Sequence, residues 1–193
     1  TVAGSMFAAA AIAVAVTAGS VPVTDTSPRG STSVQLVAYA GAQPKGFTID
    51  KVPAGYFIQT DNNYSLLLAP DAAKNPGPDV NPSKSPVYDP NSFVGKIGIT
   101  LESKDQNGPS RDGTDVKVGD RDGTLLKSLP GMTPDGPMPT RADGDTGWEL
   151  WVQQPSGVYL IVQFWEGLGL SQDQMIELGA GVHVHADAVQ GVG

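Results

Sequence analysis

Two neighbouring segments near the carboxy terminus alternate in side-chain character, yet neither has a wholly polar face. In Trp148-Glu149-Leu150-Trp151-Val152, one face presents Trp148, Leu150 and Val152, and the other presents Glu149 and Trp151. From Val158 to Trp165, one face carries Val158, Leu160, Val162 and Phe164. The opposite face carries Tyr159, Ile161, Gln163 and Trp165. Period two assigns both segments to β-strands, because successive side chains of an extended chain point to opposite sides. Gln154-Pro155-Ser156-Gly157 joins them. All three tryptophans of the chain lie in this pair. A strand that is apolar on both sides must be covered on both sides, by a helix on one and by loops or a partner on the other.

Shorter strands precede the pair. Gly46 to Asp50 alternates apolar and polar, Pro53-Ala54-Gly55 punctuates it, and Tyr56 to Gln59 resumes. Asp61-Asn62-Asn63 marks a turn before Tyr64 to Ala69. Lys96 to Ser103 places Ile97, Ile99 and Leu101 on one face. In Val116 to Leu126, the Asp122-Gly123 pair between apolar runs signals a hairpin. Pro-rich stretches at 70–90 and 130–145 and a polar stretch at 104–114 read as loops. Ser171 with Gln174 fits a capping box, in which the serine accepts from a backbone N–H and the glutamine reaches back. Met175, Ile176 and Leu178 supply that helix's apolar side, Gly179 and Gly181 stop it, and Val182 to His185 forms a closing strand. The expected fold is α+β: an antiparallel sheet with a carboxy-terminal helix packed on it, preceded by an amino-terminal hydrophobic, transmembrane helix.

That last element rests on residues 1–24, which carry no charge; the first charged residue is Asp25. The apolar stretch Met6 to Val16 sits in a window of about 20 residues, long enough to cross a bilayer. It reads either as an anchor or as a signal-peptide core cleaved near Ala13-Val14-Ala15, with a buried globular helix as the third reading. Residues 25–45 are rich in Ser, Thr, Pro and Gly and read as a tether. The domain spans 46–187, and 188–193 is a tail. Both leading readings place the domain outside the cytoplasm, on a single-pass membrane protein or, alternatively, secreted.

Several chemistries find no support. The net charge is −8, and the twelve basic residues are scattered from Arg29 to Arg141, so nucleic acid is not an expected partner. Cysteine is absent, which removes disulfides, thiolate catalysis and lipidated cysteine. No Gly-x-Ser-x-Gly elbow occurs. The sharpest metal candidate is His183 with His185, whose imidazoles share one side of a strand, with Asp187 two residues on. The alternative is an exposed strand that simply carries two histidines. Asp120-Arg121-Asp122-Gly123 and Asp143-Gly144-Asp145 fail the EF-hand spacing and read as turns. Gly167-Leu168-Gly169-Leu170 lacks the third glycine of a dinucleotide loop. Neither an enzyme nor a cofactor is expected. The candidate ligand or partner face is Trp151, Tyr159, Ile161 and Trp165. These residues form either core beneath the covering elements or an aromatic cleft for a hydrophobic ligand or a partner's chain.

The strings Gly46-Phe47-Thr48-Ile49-Asp50-Lys51-Val52-Pro53-Ala54-Gly55-Tyr56 and Lys117-Val118-Gly119-Asp120-Arg121-Asp122-Gly123 stand in this order along the chain. Leu170 to Gln174 and Gly181-Val182 follow them. Together they resemble the extracytoplasmic part of uncharacterised actinobacterial membrane-anchored proteins, some of which look like anti-sigma factors. The resemblance covers about Gly46 to Asp187 and carries over no catalytic residue. It implies a sensory or regulatory outer domain, and a cytoplasmic sigma factor as partner through a helical segment upstream of Thr1. The alternative is an exported carrier for lipid or peptide, marked by an open cavity behind Trp151 and Trp165.

Overall fold

The computed structural model describes residues 34–62, 64–81, 84–129, 132–133, 136–137 and 144–191. Residues 1–24, and with them the expected transmembrane helix, lie outside the described residues. Among the described residues, no helix is long and apolar enough to cross a membrane. In chain order they form β1 (Leu36–Ala38), β2 (Phe47–Ile49), β3 (Lys51–Pro53), β4 (Tyr56–Asp61), β5 (Ser65–Pro70), β6 (Ile97–Leu101) and β7 (Thr114–Val118). There follow β8 (Arg121–Lys127), β9 (Met132–Thr133), β10 (Gly136–Pro137), β11 (Trp148–Gln153), β12 (Tyr159–Phe164), α1 (Gln172–Ala180) and β13 (Val182–Val184). The architecture is mostly antiparallel sheet with one carboxy-terminal helix, as expected.

Seven strands form one sheet in the order β4-β5-β6-β12-β11-β8-β7. Its register lines up Leu125, Leu150, Val162, Ile99 and Leu66 in a row across five strands. All five are buried. A slip of one residue would turn that row to the opposite face, so burial locks the register. The second layer on this face is α1 with a narrow ribbon. In the ribbon β13 pairs with β2 and β1 pairs with β3. Asp50 links the two halves, donating its N–H to Gly181 O and accepting from Tyr39 N, both at 2.8 Å. Phe47, Ile49, Val52, Met175, Leu178 and Val182 from this layer interlock with the sheet's apolar rows.

The helix begins as its sequence indicates. Ser171 Oγ accepts from Gln174 N, and Gln174 Oε1 accepts from Ser171 N. Two otherwise unpaired backbone donors at the helix start are thereby satisfied. Gln174 also donates through Nε2 to Val34 O, tying the described chain's start to the helix.

Three elements differ from expectation. Leu36–Ala38 falls within the stretch read as tether, yet it pairs with β3. Three apolar residues are too few to offset a Ser/Thr-rich window, but they suffice to extend an existing ribbon. The β7–β8 turn lies at Gly119-Asp120, with Val118 opposite Arg121, and not at Asp122-Gly123. Gly119 has φ of 66°, as the first central residue of a type II′ turn requires. Gly123 instead sits inside β8, where a Cβ would come within 2.9 Å of both Trp151 O and Val118 Cγ2. Finally, Gly179 does not stop the helix but lies within it, where its missing side chain makes room for Leu150.

The Pro-rich stretch after β5 folds as successive turns, including Tyr88 N to Ser85 O and Ser92 N to Asp89 O. It ends at Lys96, which is fully buried and donates through Nζ to Asp89 O. Burial lowers the Lys96 pKa below 10.5, and Asp89 partly opposes this. The folded chain therefore releases this proton earlier than the unfolded chain does. Where the unfolded state holds more protons, stability rises with pH. Stability contributed by Lys96 should thus increase from its folded pKa toward 10.5, and be lost as pH falls from 10.5 through the folded pKa. Burial raises the Tyr56 pKa above 10.0, so Tyr56 acts with the opposite sign, from pH 10.0 upward. The difference in unfolding free energy between the parent and Lys96→Met isolates the lysine. That difference should shift in the parent's favour as pH approaches 10.5, as measured by urea titrations.

Candidate functional site

The face of the sheet turned away from α1 carries the candidate residues. Trp151, Ile161 and Leu126 form a small buried cluster there, with Tyr159 packed against it. The Trp151 and Tyr159 rings meet edge to face, centroids 6.2 Å apart and planes at 63°. Trp151 is only 6% exposed and Ile161 only 7%. The indole N–H of Trp151 donates to Glu149 Oε2 at 3.2 Å. A tryptophan buried in this way needs such a partner, and Glu149 is the acidic residue sharing its face.

A strap formed by residues 102–113 borders this cluster, with Gly108 against the Tyr159 ring and Gly113 beside Leu126, and is fastened at both ends. At the first end, Glu102 is buried and its carboxylate accepts from Tyr159 N and from Gly108 N, each at 2.9 Å. Two backbone donors stand in for water around this carboxylate. At the second end, Arg111 donates to Lys127 O at 2.7 Å and to Glu149 Oε1 at 3.1 Å. Glu149 therefore holds the tryptophan with one oxygen and the strap with the other. Replacing Glu102 with alanine leaves Gly108 N and Tyr159 N without their acceptor. Hydrogen exchange at these two amides should accelerate by roughly tenfold or more, while the amides of β5 and β6 stay protected.

Trp165 stands apart from the other three. It is half-buried, and its ring meets Phe93 edge to face at 5.5 Å and 77°. Phe93 lies over Gly98, where a Cβ would be 3.1 Å from its ring. The structure thus brings Trp151, Tyr159 and Ile161 together beside the strap and places Trp165 under the Pro-rich turns.

Next to the strap lies a shallow groove of about 260 Å³ on the same face. Tyr159 forms part of its wall, with Asp115, Asp122, Thr124 and Gln153 around it. These polar residues were not legible as a group, because three strands contribute them and each alone reads as an ordinary exposed position. A second groove, about 220 Å³, runs between the β7–β8 turn and β13, with Asp120, Arg121 and His183 among its residues.

The two histidines sit on one exposed side, as their spacing indicates. His183 Nε2 lies 2.9 Å from Asp50 Oδ2, and His185 Nε2 lies 2.8 Å from Thr48 Oγ1. Each ring is engaged with the neighbouring strand. Among the described residues, no group of three or more His, Cys, Asp or Glu is placed to hold a metal ion. Of the acidic turns, Asp145 accepts from Gly147 N and Gly167 N, and Asp122 pairs with Lys117. Asp143 lies outside the described residues. No protein-family model matches the chain, and no curated protein matches it.

Proposed function

We propose that this chain is the extracytoplasmic sensory or regulatory part of a single-pass membrane protein, non-catalytic and acting through its surface. The observation that carries the reading is the closure of the aromatic face. A lipid carrier must enclose its ligand, and drug-sized ligands already occupy about 300–1,000 Å³. The grooves described here are smaller, open and lined largely by polar groups. Trp151 and Ile161, the side chains best suited to an apolar ligand, are already buried in the chain's own cluster with Leu126 and Tyr159. The uncharged residues 1–24 and the Ser/Thr/Pro-rich residues that follow support the tether. The resemblance to anti-sigma-like membrane proteins supports a regulatory role, with a sigma factor as the cytoplasmic partner.

The carrier is the competing reading, and a mass measurement separates the two. Protein purified from its native membrane and sprayed under non-denaturing conditions should show the polypeptide mass alone. A stoichiometric lipid or peptide adduct, released on denaturation, would contradict the sealed-face reading and favour the carrier.

A further inference from the structure

The two edges of the large sheet differ. Along β4, Gln59 Nε2 donates to Tyr88 O, Thr60 Oγ1 donates to Pro90 O, and Asp61 accepts from Lys45 N. The Pro-rich turns thus occupy that edge. Among the described residues, β7 pairs only with β8, and no strand pairs with its other side. Its two-residue turn sets the alternation of the ladder. Val118, Val116 and Thr114 exchange hydrogen bonds with β8, so the N–H and C=O groups of Asp115 and Lys117 point outward. No backbone partner meets those outward groups among the described residues. Both side chains are exposed, and Val116 between them is half-buried.

We infer that the open edge of β7 binds the same edge of a second copy of this chain. The two strands run antiparallel about a two-fold axis at Val116. Register and charge both select this arrangement. Outward groups occur only at 115 and 117, so a symmetric pairing can set Asp115 against Asp115, Lys117 against Lys117, or Asp115 against the partner's Lys117. The first two juxtapose like charges directly across strands, which is destabilising. The third makes two opposite-charge pairs and uses every outward N–H and C=O on both copies. A closed two-fold contact needs a self-complementary patch, and the Asp-Val-Lys sequence provides one. The same charges would otherwise serve to blunt an exposed edge, so the test must separate pairing from protection. The inference does not depend on how residues 1–24 are read.

In the pairing proposed, Val116 faces the partner's Val116 at a non-hydrogen-bonded position, with Cα atoms about 4.5 Å apart, within disulfide reach. The chain has no cysteine of its own, so Val116→Cys reports this register without interference. The full chain carrying it, held in detergent micelles, is expected to give a disulfide-linked dimer on mild oxidation. Adding Asp115→Lys or Lys117→Asp sets like charges opposite one another and should cut the yield by at least about tenfold. Mixing the two charge variants should restore the product as a heterodimer, because each reversed residue then meets an opposite charge. Tyr64→Cys, exposed near β4, serves as the control and should give no charge-sensitive product. Because Val116 packs partly on the core, sedimentation of cysteine-free charge variants in the same micelles supplies a second measurement. The parent should dimerise with concentration, each single variant should stay monomeric, and the mixture should dimerise. A cysteine-free parent that sediments as a monomer throughout, a dimer indifferent to charge, or a mixture no better than its parts would overturn the inference.

Discussion

Replacing Arg121 with alanine should lower the unfolding free energy by about 2–4 kcal/mol, the largest loss from any single polar side chain of the domain. The guanidinium lies at the carboxy-terminal end of α1. There Nη2 donates to Gly179 O at 3.0 Å and Ala180 O at 3.2 Å, and Nη1 donates to Val182 O at 3.1 Å. Gln154 Oε1 completes the set at 3.3 Å. The last carbonyls of a helix have no partner within it, and a cation beside them also offsets the negative end of the helix dipole. Arg121 therefore does two things, joining α1 to the β7–β8 hairpin and capping the helix. Burial lowers its pKa and Asp120 opposes that, but a guanidinium keeps its charge in either case. Arg121→Lys should recover only part of the loss, because one ammonium does not reach acceptors spread over helix, strand and side chain. The measurement is the urea midpoint at constant m-value. A midpoint that moves by less than about 0.5 kcal/mol equivalent would show that water replaces the guanidinium freely.

The second large effect should come from Gly147→Ala. Gly147 adopts φ of 83°, and a Cβ there would lie 2.5 Å from Phe164 O. Its carbonyl also accepts from Ser128 N, so the segment leading into β11 has no freedom to retreat. The expected loss is about 3 kcal/mol or more, combining backbone strain with a clash against main chain. Gly157→Ala is the matched control. Gly157 has φ of 87° but nothing within 4 Å of the added methyl, so it reports the backbone part alone, about 1 kcal/mol. Equal losses at the two sites would show that Phe164 yields and that the contact does not constrain the strand.

The parts of this fold legible in the sequence are those whose physics is local. Ser171 and Gln174 mark the start of α1 because a capping box is closed within four residues. Period two placed Leu150, Val162 and Ile99 on one face and Trp151 and Ile161 on the other before any pairing was known. The turn of the β7–β8 hairpin departs from the sequence expectation for a specific reason. Asp-Gly is the commoner turn pair, but here Gly123 is needed where β8 passes close to β11, and Gly119 takes the turn. The helix end departs from expectation for a similar reason, since Gly179 reflects the space claimed by Leu150, 29 positions away. Arg121 gave no signal at all, because its four acceptors come from α1, β13 and the β11–β12 turn. The candidate face shows the same division. Alternation revealed that a second apolar face exists, but not that Glu102, Glu149 and Arg111 would fasten a strap beside it.

The proposed function makes this a tethered domain outside the cytoplasm that works through its surface. Intact mass and amino-terminal sequence of the native gene product, from separated membrane and secreted fractions, test it most directly. A tethered domain gives a membrane-retained species that keeps residues 1–24 attached. A mature species cleaved between about residue 15 and residue 40, and recovered in the secreted fraction, would contradict it.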